Sequence, residues 1–397
     1  MLADSWKLIH IKYICELGRG RVINQDELYD HPGQYPVYSS QSKDSGAFGY
    51  LDTFDFNGEY VTWTTDGAYA GTVFYRSGRF NCTNVCGTLK AKTNEICMKY
   101  LSFGLSTKTK NHVSYVGNPK LMNNIMGDIV IPFPPLPEQR CIAEILDTID
   151  ETIQKTESLI SKLKAMKQGL LHDLLTRGLD KNGKLRDSKT HPEQFKDSPL
   201  GVIPKEWVVV RLLDYVSLPN GQVDPKQIPY CHWLLIAPDH IESVTGRLLC
   251  LETAIEQGAI SGKYAFKPGA VLYSKIRPYL RKAVLADRQG LCSADMYPLY
   301  PCTSLVPRFL LDVVLGEDFS QFATSVSERS GFPKINRKEL GEYRLALPSK
   351  DEQLHIASVM DNHDTRIRTE EQYRDKLKLQ KKGLMHDLLT GKVRVKV

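Results

Sequence analysis

The sequence predicts an α+β protein in which two mixed α/β domains are separated by two long helices that pair as an antiparallel coiled coil. The first observation behind this prediction is an internal repeat: residues 117–176 and 331–390 align without gaps at an offset of 214 and share 24 of 60 residues. The second is that apolar residues within the repeat follow a coiled-coil spacing. The third is that short β-type runs fill the unlike segments before each copy. A repeated block that alternates with unlike sequence indicates two related units.

The repeat sets the predicted domain boundaries. Residues 1–135 form a first domain, 136–178 a central helix, 179–205 a linker, 206–348 a second domain, and 349–397 a C-terminal helix with its tail. The linker is predicted because this stretch is polar, charged and rich in turn-forming residues.

Short alternating runs predict hairpins in both domains. In the first domain these runs are 59–63 and 72–75, and in the second they are 270–273 and 283–285. Residues 307–327 predict one helix.

A second, weaker alignment relates the two domains at an offset of 210. It places the loop 64–69 over the loop 274–279. The matching pairs are Phe56/Phe266, Val61/Val271, Tyr69/Tyr279 and Cys82/Cys292.

The two repeated helices each carry an apolar seam whose positions alternate four and three residues apart. The second seam is more polar in its middle, so we expect looser packing there. Each helix runs for about 40 residues, or about 60 Å, and one with a single apolar stripe needs a partner, so the two copies are expected to pair. The seam residues are Ile142, Leu146, Ile149, Ile153, Ile160, Leu163, Leu170 and Leu174 in the first helix and Ile356, Met360, Ile367, Leu377, Leu384 and Leu388 in the second.

Both helices have start signals. Pro137 and Glu138 stand in the first turn of the first helix. Residues 349–352, Ser-Lys-Asp-Glu, form a capping box at the start of the second.

Bulk composition indicates a soluble globular protein. The chain has 397 residues, of which 42% are hydrophobic and 25% charged. It lacks an apolar run of about 18 to 20 residues and a signal peptide at its start, so we expect a cytoplasmic protein with no membrane contact. The nine cysteines are scattered, as reduced thiols would be. Cys82, Cys86 and Cys97 lack a fourth ligand at a familiar spacing, so no metal site is expected.

Charge distribution limits how the chain could bind a nucleic acid. The net charge is +6, and the excess lies in residues 331–397, which hold 15 basic and 10 acidic side chains. DNA binding would therefore use local patches and loops rather than a uniformly positive surface.

Catalytic motifs of DNA enzymes are absent from the sequence. No Glu is followed two positions later by Lys, as a common metal-dependent nuclease would require. Pro134-Pro135 follows Phe133 rather than the Asn or Asp of a methyltransferase motif. Residues 178–184 have the Gly-x-x-x-x-Gly-Lys spacing of a phosphate-binding loop, but Leu185 follows where Ser or Thr is required. The sequence therefore predicts a binding protein with no catalytic residues and no cofactor of its own.

The repeated parts resemble the specificity subunit of Type I restriction-modification enzymes. The residues that carry the resemblance are the Pro-Pro-Leu-Pro-Glu-Gln run 134–139, the heptad helix, the run 169–178 and the re-entry Gly-x-Ile-Pro-x-x-Trp at 201–207. Within the domains, 35–38 and 273–279 are the most family-like pieces. The second copy departs from the pattern with Ser-Lys-Asp before Glu352-Gln353, so its helix entry is expected to differ.

This resemblance implies a function and a set of partners. Two target-recognition domains would each read one half of a split, asymmetric double-stranded DNA sequence, and the helix pair would set their distance. The implied partners are two copies of a modification subunit, an adenine methyltransferase, and ATP-dependent restriction subunits in the full complex. S-adenosylmethionine, ATP and magnesium would belong to those partners. Antiparallel pairing of repeated helices supports this, because it creates an approximate two-fold axis that matches the dyad of duplex DNA.

Candidate DNA-binding residues come from loops and turns in both domains. Lys120 and Lys334 end matching Gly-x-Pro-Lys turns, where an ammonium could meet a phosphate or remain a solvated turn lysine. A basic and aromatic cluster in the second domain suits guanine edges and backbone, the alternative being an exposed basic strand. The cluster is Lys275, Arg277, Tyr279, Arg281 and Lys282, and the candidates in the first domain are Ser39, Ser40, Gln41, Lys43, Thr64 and Tyr69.

Two other functions remain open from the sequence. The chain could be a protein scaffold with two interaction domains spaced by a coiled coil. An orphan DNA-modifying enzyme is the third possibility, and the missing motifs count against it.

Overall fold

The computed structural model describes residues 6–40, 46–327 and 332–396. The chain divides into two units, unit 1 from Met1–Ser158 with Glu371–Val397, and unit 2 from Leu159–Glu370. Each unit holds one mixed α/β domain and a part of each of two long helices, and the parts pack together. The predicted fold class is confirmed.

Unit 1 is built around a four-stranded antiparallel sheet in the order β2-β9-β6-β7. A second sheet, β4-β3-β8-β5, includes the parallel pair β3-β8, and β1 pairs with β10. Helix α3 packs on the central sheet to form the core. The elements are β1 Lys7–His10, α1 Ile11–Ile14, β2 Cys15–Arg19, α2 Gln25–Asp30, β3 Pro32–Tyr38, β4 Ala47–Leu51, β5 Phe56–Asn57, β6 Tyr60–Thr64, β7 Val73–Arg76, β8 Arg79–Cys82, β9 Cys86–Ala91, α3 Met98–Ser106, α4 Asn123–Asp128 and β10 Val130–Phe133.

Unit 2 repeats this plan. Its central antiparallel sheet has the order β14-β20-β17-β18, its second sheet β15-β19-β16 includes the parallel pair β15-β19, and β13 pairs with β21. A hairpin, β11-β12, lies in the predicted linker. The elements are β11 Phe195–Ser198, β12 Gly201–Pro204, β13 Val208–Arg211, α6 Leu212–Tyr215, β14 Val216–Ser217, β15 Leu235–Ile236, β16 Tyr264–Phe266, β17 Val271–Ser274, β18 Ala283–Leu285, β19 Gly290–Cys292, β20 Met296–Pro301, α7 Pro307–Leu315, α8 Glu317–Ser327, α9 Arg337–Glu342 and β21 Arg344–Leu347.

Strand registers support the weak alignment at 210. Val61 faces Leu89 across β6-β9, and Val271 faces Leu299 across β17-β20. Both members of the second pair are therefore related to the first pair by the offset of 210. The two central sheets are therefore equivalent strand by strand. The predicted hairpins β6-β7 and β17-β18 are present in both.

One predicted element was wrong. Residues 307–327 form two helices, α7 and α8, rather than one. Gly316 ends α7 because its backbone is extended, with φ −65° and ψ 156°.

The two long helices are α5, Leu136–Thr176, and α10, Lys350–Leu389. In unit 1, the start of α5 at Ile142 shares an apolar cluster with the end of α10 at Leu388. In unit 2, the end of α5 at Leu174 shares a cluster with the start of α10 at Ile356. The helices therefore run antiparallel in each unit.

Burial follows the predicted seams. The half-buried seam residues are Ile149, Leu170 and Leu384. The buried seam residues are Ile142, Leu146, Ile153, Ile160, Leu163, Leu174, Ile356, Met360, Ile367, Leu377 and Leu388. Within the described ranges, no helix combines the length and apolar character needed to cross a bilayer.

Candidate nucleic-acid interface

The loop after β6 in unit 1 is fixed to the Gly-x-Pro-Lys turn by backbone hydrogen bonds. Gly67 N donates to Pro119 O at 2.9 Å, and Leu121 N donates to Thr65 O at 2.9 Å. Thr65 N donates to Val85 O, also at 2.9 Å. We call these three bonds the loop frame.

Unit 2 forms the same loop frame after β17. Arg277 N donates to Pro333 O at 2.9 Å, and Ile335 N donates to Lys275 O at 2.9 Å. Lys275 N completes it by donating to Asp295 O at 3.0 Å. The two domains therefore present different side chains from one backbone arrangement.

Left-handed backbone positions within this loop are occupied differently in the two units. In unit 1 glycines hold them, Gly67 at φ +90° and Gly71 at φ +78°. In unit 2 the equivalent positions are arginines, Arg277 at φ +47° and Arg281 at φ +50°. Such a backbone is unfavourable for a residue with a Cβ, and the two arginine side chains differ in their contacts.

Arg281 is held by the protein. Its Nε donates to Leu315 O at 2.8 Å, at the end of α7, and its Nη2 donates to Gln168 Oε1 on α5 at 3.1 Å. Lys282 Nζ likewise donates to Pro238 O at 2.7 Å. Both residues remain predicted DNA contacts, but these donors are already engaged.

Arg277 is the exposed arginine of the loop. Its guanidinium lies 4.7 Å from the ring centre of Phe332, which is itself exposed. Tyr279 is 53% exposed, and Lys334 is exposed with no ion pair among the described residues. Together they form a basic and aromatic surface beside the loop frame.

Lys275, a predicted DNA-contact residue of the basic cluster, is buried. It is only 8% exposed, and its Nζ lies 5.1 Å from the ring centre of Tyr297. Burial, and then the neighbouring Lys334, lower the pKa of Lys275.

In unit 1 the corresponding surface carries a neutralised carboxylate. Asp66 accepts hydrogen bonds from Arg19 Nη2 at 3.0 Å and from Thr65 Oγ1 at 2.7 Å. Lys120 Nζ lies 3.7 Å from the same carboxylate. Tyr69, which aligns with Tyr279, is exposed. Because Asp66 offsets the charges of Arg19 and Lys120, this surface is less basic than that of unit 2.

The other candidates of the first domain that the structure describes are less exposed to solvent. Thr64 is 1% exposed because it ends the buried strand β6. Ser39 and Ser40 are half-buried, and Ser39 Oγ accepts a hydrogen bond from Thr83 Oγ1 at 2.9 Å. Gln41 and Lys43 lie outside the described residues.

The start of each long helix carries a repeated Trp-Glu-Arg cluster. In unit 1, Glu138 accepts from Trp6 Nε1 at 3.2 Å and from Arg394 Nε at 2.8 Å. The arginine comes from the tail that follows the other long helix.

Glu352 occupies the equivalent position in unit 2. It accepts from Trp207 Nε1 at 3.1 Å, from Arg186 at 2.5 and 3.2 Å, and from Leu179 N at 2.9 Å. The predicted capping box is therefore only half formed: Ser349 Oγ accepts from Glu352 N at 3.3 Å, but the Glu352 carboxylate binds these other donors.

Neighbouring glutamines fasten a short helix to each long helix. Gln139 Oε1 accepts from Cys97 N at 2.9 Å, at the start of α3. Gln353 Oε1 accepts from Val306 N at 2.8 Å, at the start of α7. These contacts join each domain to its helix.

Ion pairs between the long helices are also reciprocal. Lys381 on α10 pairs with Asp150 on α5 at 2.6 Å, and Lys167 on α5 pairs with Asp364 on α10. Because Lys167/Lys381 and Asp150/Asp364 are repeat equivalents, the same contact forms once in each unit. No group of three or more His, Cys, Asp or Glu side chains suited to a metal ion occurs in the described part of the chain.

Comparison with known families decides the assignment. Residues 3–165 and 254–379 match the type I restriction modification DNA specificity domain. The chain belongs to this family.

Known relatives extend the match over most of the chain. A putative type I specificity subunit of Mycoplasma pneumoniae is 44% identical over 353 residues, covering 88% of this chain and 87% of the relative. The specificity subunit of the type I restriction enzyme EcoDI of Escherichia coli is 28% identical, covering 89% of this chain and 80% of the relative.

Solved structures share the fold. The S subunit of a type I restriction-modification system from M. genitalium has a TM-score of 0.62 at 14% identity, covering 98% of both chains. A chain from a study of complex assembly and conformational transition of the type I R-M system has a TM-score of 0.58 at 16% identity, covering 99% of this chain and 100% of its own.

Several residues of this specificity subunit's candidate surface were missed from sequence. Phe332 and Asp295 belong to no motif in the sequence. They lie beside the loop because Pro333, next to Phe332, and Asp295 itself take part in the loop frame. Arg19 lies on β2, which nothing in the sequence relates to the Asp66 loop. The repeat of Trp6 and Trp207 before equivalent glutamates was a visible signal for the helix-start clusters.

Proposed function

We propose that this specificity subunit reads a bipartite, asymmetric double-stranded DNA target with its two domains and carries two methyltransferase subunits on its helix pair. Restriction subunits would join in the full complex. The subunit itself would be non-catalytic and cytoplasmic, and S-adenosylmethionine, ATP and magnesium would be bound by its partners.

The observation that carries this proposal is that both domains form the same loop frame, while the loops held by it carry different side chains. Gly67 in unit 1 is replaced by Arg277 in unit 2. An arginine favours bidentate contact with guanine O6 and N7 in the major groove, which the first domain cannot make from the same position. Unlike side chains on a common frame support unlike half-sites.

Lysines at the turns support a common mode of backbone contact. Lys120 and Lys334 follow equivalent prolines of the loop frame and are both exposed. An ammonium there can meet a phosphate whatever the sequence. The turns would position each domain, and the loops would read bases.

The test is co-expression of the chain with an adenine methyltransferase encoded beside it, followed by mapping of methylated adenines. A split motif with two unlike halves is the expected result, and Arg277→Ala should relax or abolish only one half. Methylation of an unsplit motif, or failure to form a complex with the methyltransferase, would contradict the proposal. A complex that forms but methylates no motif would favour a protein scaffold.

A further inference from the structure

Asp295 is the one side chain of the unit 2 loop frame whose charge opposes DNA binding. It lies in the turn between β19 and β20, half-buried. Its backbone is fixed on both sides, because its carbonyl accepts from Lys275 N at 3.0 Å and its amide donates to Ser293 Oγ at 3.2 Å. These bonds fix the backbone from which the side chain projects.

The carboxylate of Asp295 is unused within the described part of the chain, where it makes neither a hydrogen bond nor an ion pair. It lines an open cavity of about 340 Å³ together with Ser274, Arg277, Lys282 and Ser293. The cavity therefore combines a free acceptor with the exposed arginine of the loop.

Asp295 is not neutralised by an ion pair within the described part of the chain. Its charge acts on Lys275 and Lys263, where it opposes the lowering of their pKa by burial, but neither lysine forms an ion pair with it, and Lys275 places its Nζ over the ring of Tyr297. Asp66 in unit 1 is different, because its carboxylate is neutralised by Arg19 and Lys120 and accepts a hydrogen bond from Thr65.

A carboxylate on this surface repels phosphate, so it weakens binding to every DNA sequence. It can favour one sequence only by accepting a hydrogen bond from a base. In the major groove the donors are the exocyclic amino groups, N6 of adenine and N4 of cytosine. A guanine or thymine edge would place acceptors against the carboxylate and would be rejected.

We propose that Asp295 is a specificity-determining residue that accepts a hydrogen bond from the exocyclic amino group of an adenine or cytosine in the half-site read by unit 2. This rests on the proposed function and adds the base chemistry of one half-site. The equivalent position in unit 1 is Val85, which has no acceptor beyond its backbone. The determinant therefore belongs to one half-site only.

The test uses the full complex with its methyltransferase subunits and measures binding at fixed salt to the mapped target and to every single-base change of it. Asp295→Ala is the main variant, because alanine removes both the charge and the acceptor, whereas asparagine would keep an acceptor for the amino group. Asp287→Ala is the matched control, because it removes the same charge from the same domain at an exposed carboxylate paired with Arg288 at 2.9 Å.

For Asp295→Ala we expect discrimination at one base pair of the second half-site to fall about tenfold, while affinity for non-specific duplex rises. Discrimination across the first half-site should stay unchanged, which also shows that the variant is folded. The control should leave the discrimination at both half-sites unchanged.

Duplexes that lack the amino group identify the base. Purine in place of adenine, or 2-pyrimidinone in place of cytosine, should weaken binding of the wild-type complex at that pair and leave binding of the Asp295→Ala complex unchanged. Unchanged discrimination in Asp295→Ala, or equal loss in both half-sites, would overturn the assignment. Either outcome, with wild-type methylation of a split motif intact, leaves the proposed function standing.

Discussion

At the scale of single residues, backbone conformation separates the two arginines of the unit 2 loop. Both have positive φ, yet Arg281 binds Leu315 O and Gln168 while Arg277 faces Phe332 at the surface. The sequence placed both in one basic cluster, because a cluster of like residues does not show which guanidinium is engaged. Only the packing against α5 and α7 distinguishes them.

Arg277→Gly should separate stability from DNA reading. Glycine relieves the left-handed backbone but loses the contact with Phe332, so the free energy of unfolding should change by less than about 1 kcal/mol. Binding to the cognate DNA should weaken by about 1 to 3 kcal/mol if Arg277 makes a bidentate base contact. Urea unfolding and a titration at fixed salt measure the two quantities.

Arg281→Gly is the matched comparison for that variant. It relieves the same kind of backbone but removes hydrogen bonds to Leu315 O and Gln168, so it should destabilise unit 2. A stability loss of equal size in both variants would contradict the separate roles given to the two arginines.

A buried aspartate predicts a pH dependence. Asp312 is buried on α7, where Arg308 donates to its Oδ1 at 2.5 Å and its Oδ2 has no partner. Burial raises the pKa of Asp312 to about 7, against about 3.9 in an unfolded chain. The folded state therefore holds the proton more tightly, and stability should fall as pH rises from about 4 to about 7.

Asp312→Asn should remove this dependence, because asparagine keeps an oxygen for Arg308 and carries no charge. Relative to wild type, the variant should gain about 1 to 3 kcal/mol in the free energy of unfolding between pH 5 and pH 8. Urea unfolding at the two pH values measures it. No relative change over that interval would show that Asp312 is already ionised in the folded protein at pH 5.

At the scale of elements, the long helices were predictable in extent and seam, but not in how they begin. A 3.5-residue period shows in the sequence, because every seam residue contributes to it. The carboxylate of Glu352 instead binds Trp207 and Arg186, which are distant along the chain. A local capping rule cannot show that such partners outcompete the backbone.

Glu352→Gln should destabilise its unit more than Glu138→Gln destabilises the other. Arg186 is 9% exposed in its side chain, and without the carboxylate of Glu352 this buried charge keeps, of the described carboxylates, only the exposed Glu206 at 3.8 Å, so the cost should be about 3 kcal/mol. Arg394 is 42% exposed and can turn to water, so the cost at Glu138 should be about 1 kcal/mol. Urea unfolding compares the two variants.

Hydrogen exchange gives that comparison a local control. Leu179 N donates to Glu352, so peptides spanning residues 176–182 should lose protection in Glu352→Gln and keep it in Glu138→Gln. Equal loss of protection in both variants would count against a local cluster.

At the scale of the whole molecule, the sequence predicted the duplicated plan better than the surface it presents. The repeat and the strand patterns gave two domains and two helices, and the strand registers agree with the offset of 210. The surface depends on loops that three backbone hydrogen bonds hold to a distant turn, and on neutralisation such as that of Asp66. Neither follows from residue spacing.

Removing the two turn lysines tests whether the domains contact DNA independently. Each lysine that neutralises a phosphate adds about 0.9 to the slope of log affinity against log salt. Lys334→Ala should lower the slope by about that amount. Lys120→Ala should lower it less, because Asp66 lies 3.7 Å from Lys120. The double variant should lower the slope by the sum of the two decreases, since the residues belong to separate units.

Lys196→Ala, at an exposed lysine of the β11-β12 hairpin, is the control and should leave the slope unchanged. If the double variant has the same slope as Lys334→Ala alone, only one domain contacts the phosphate backbone.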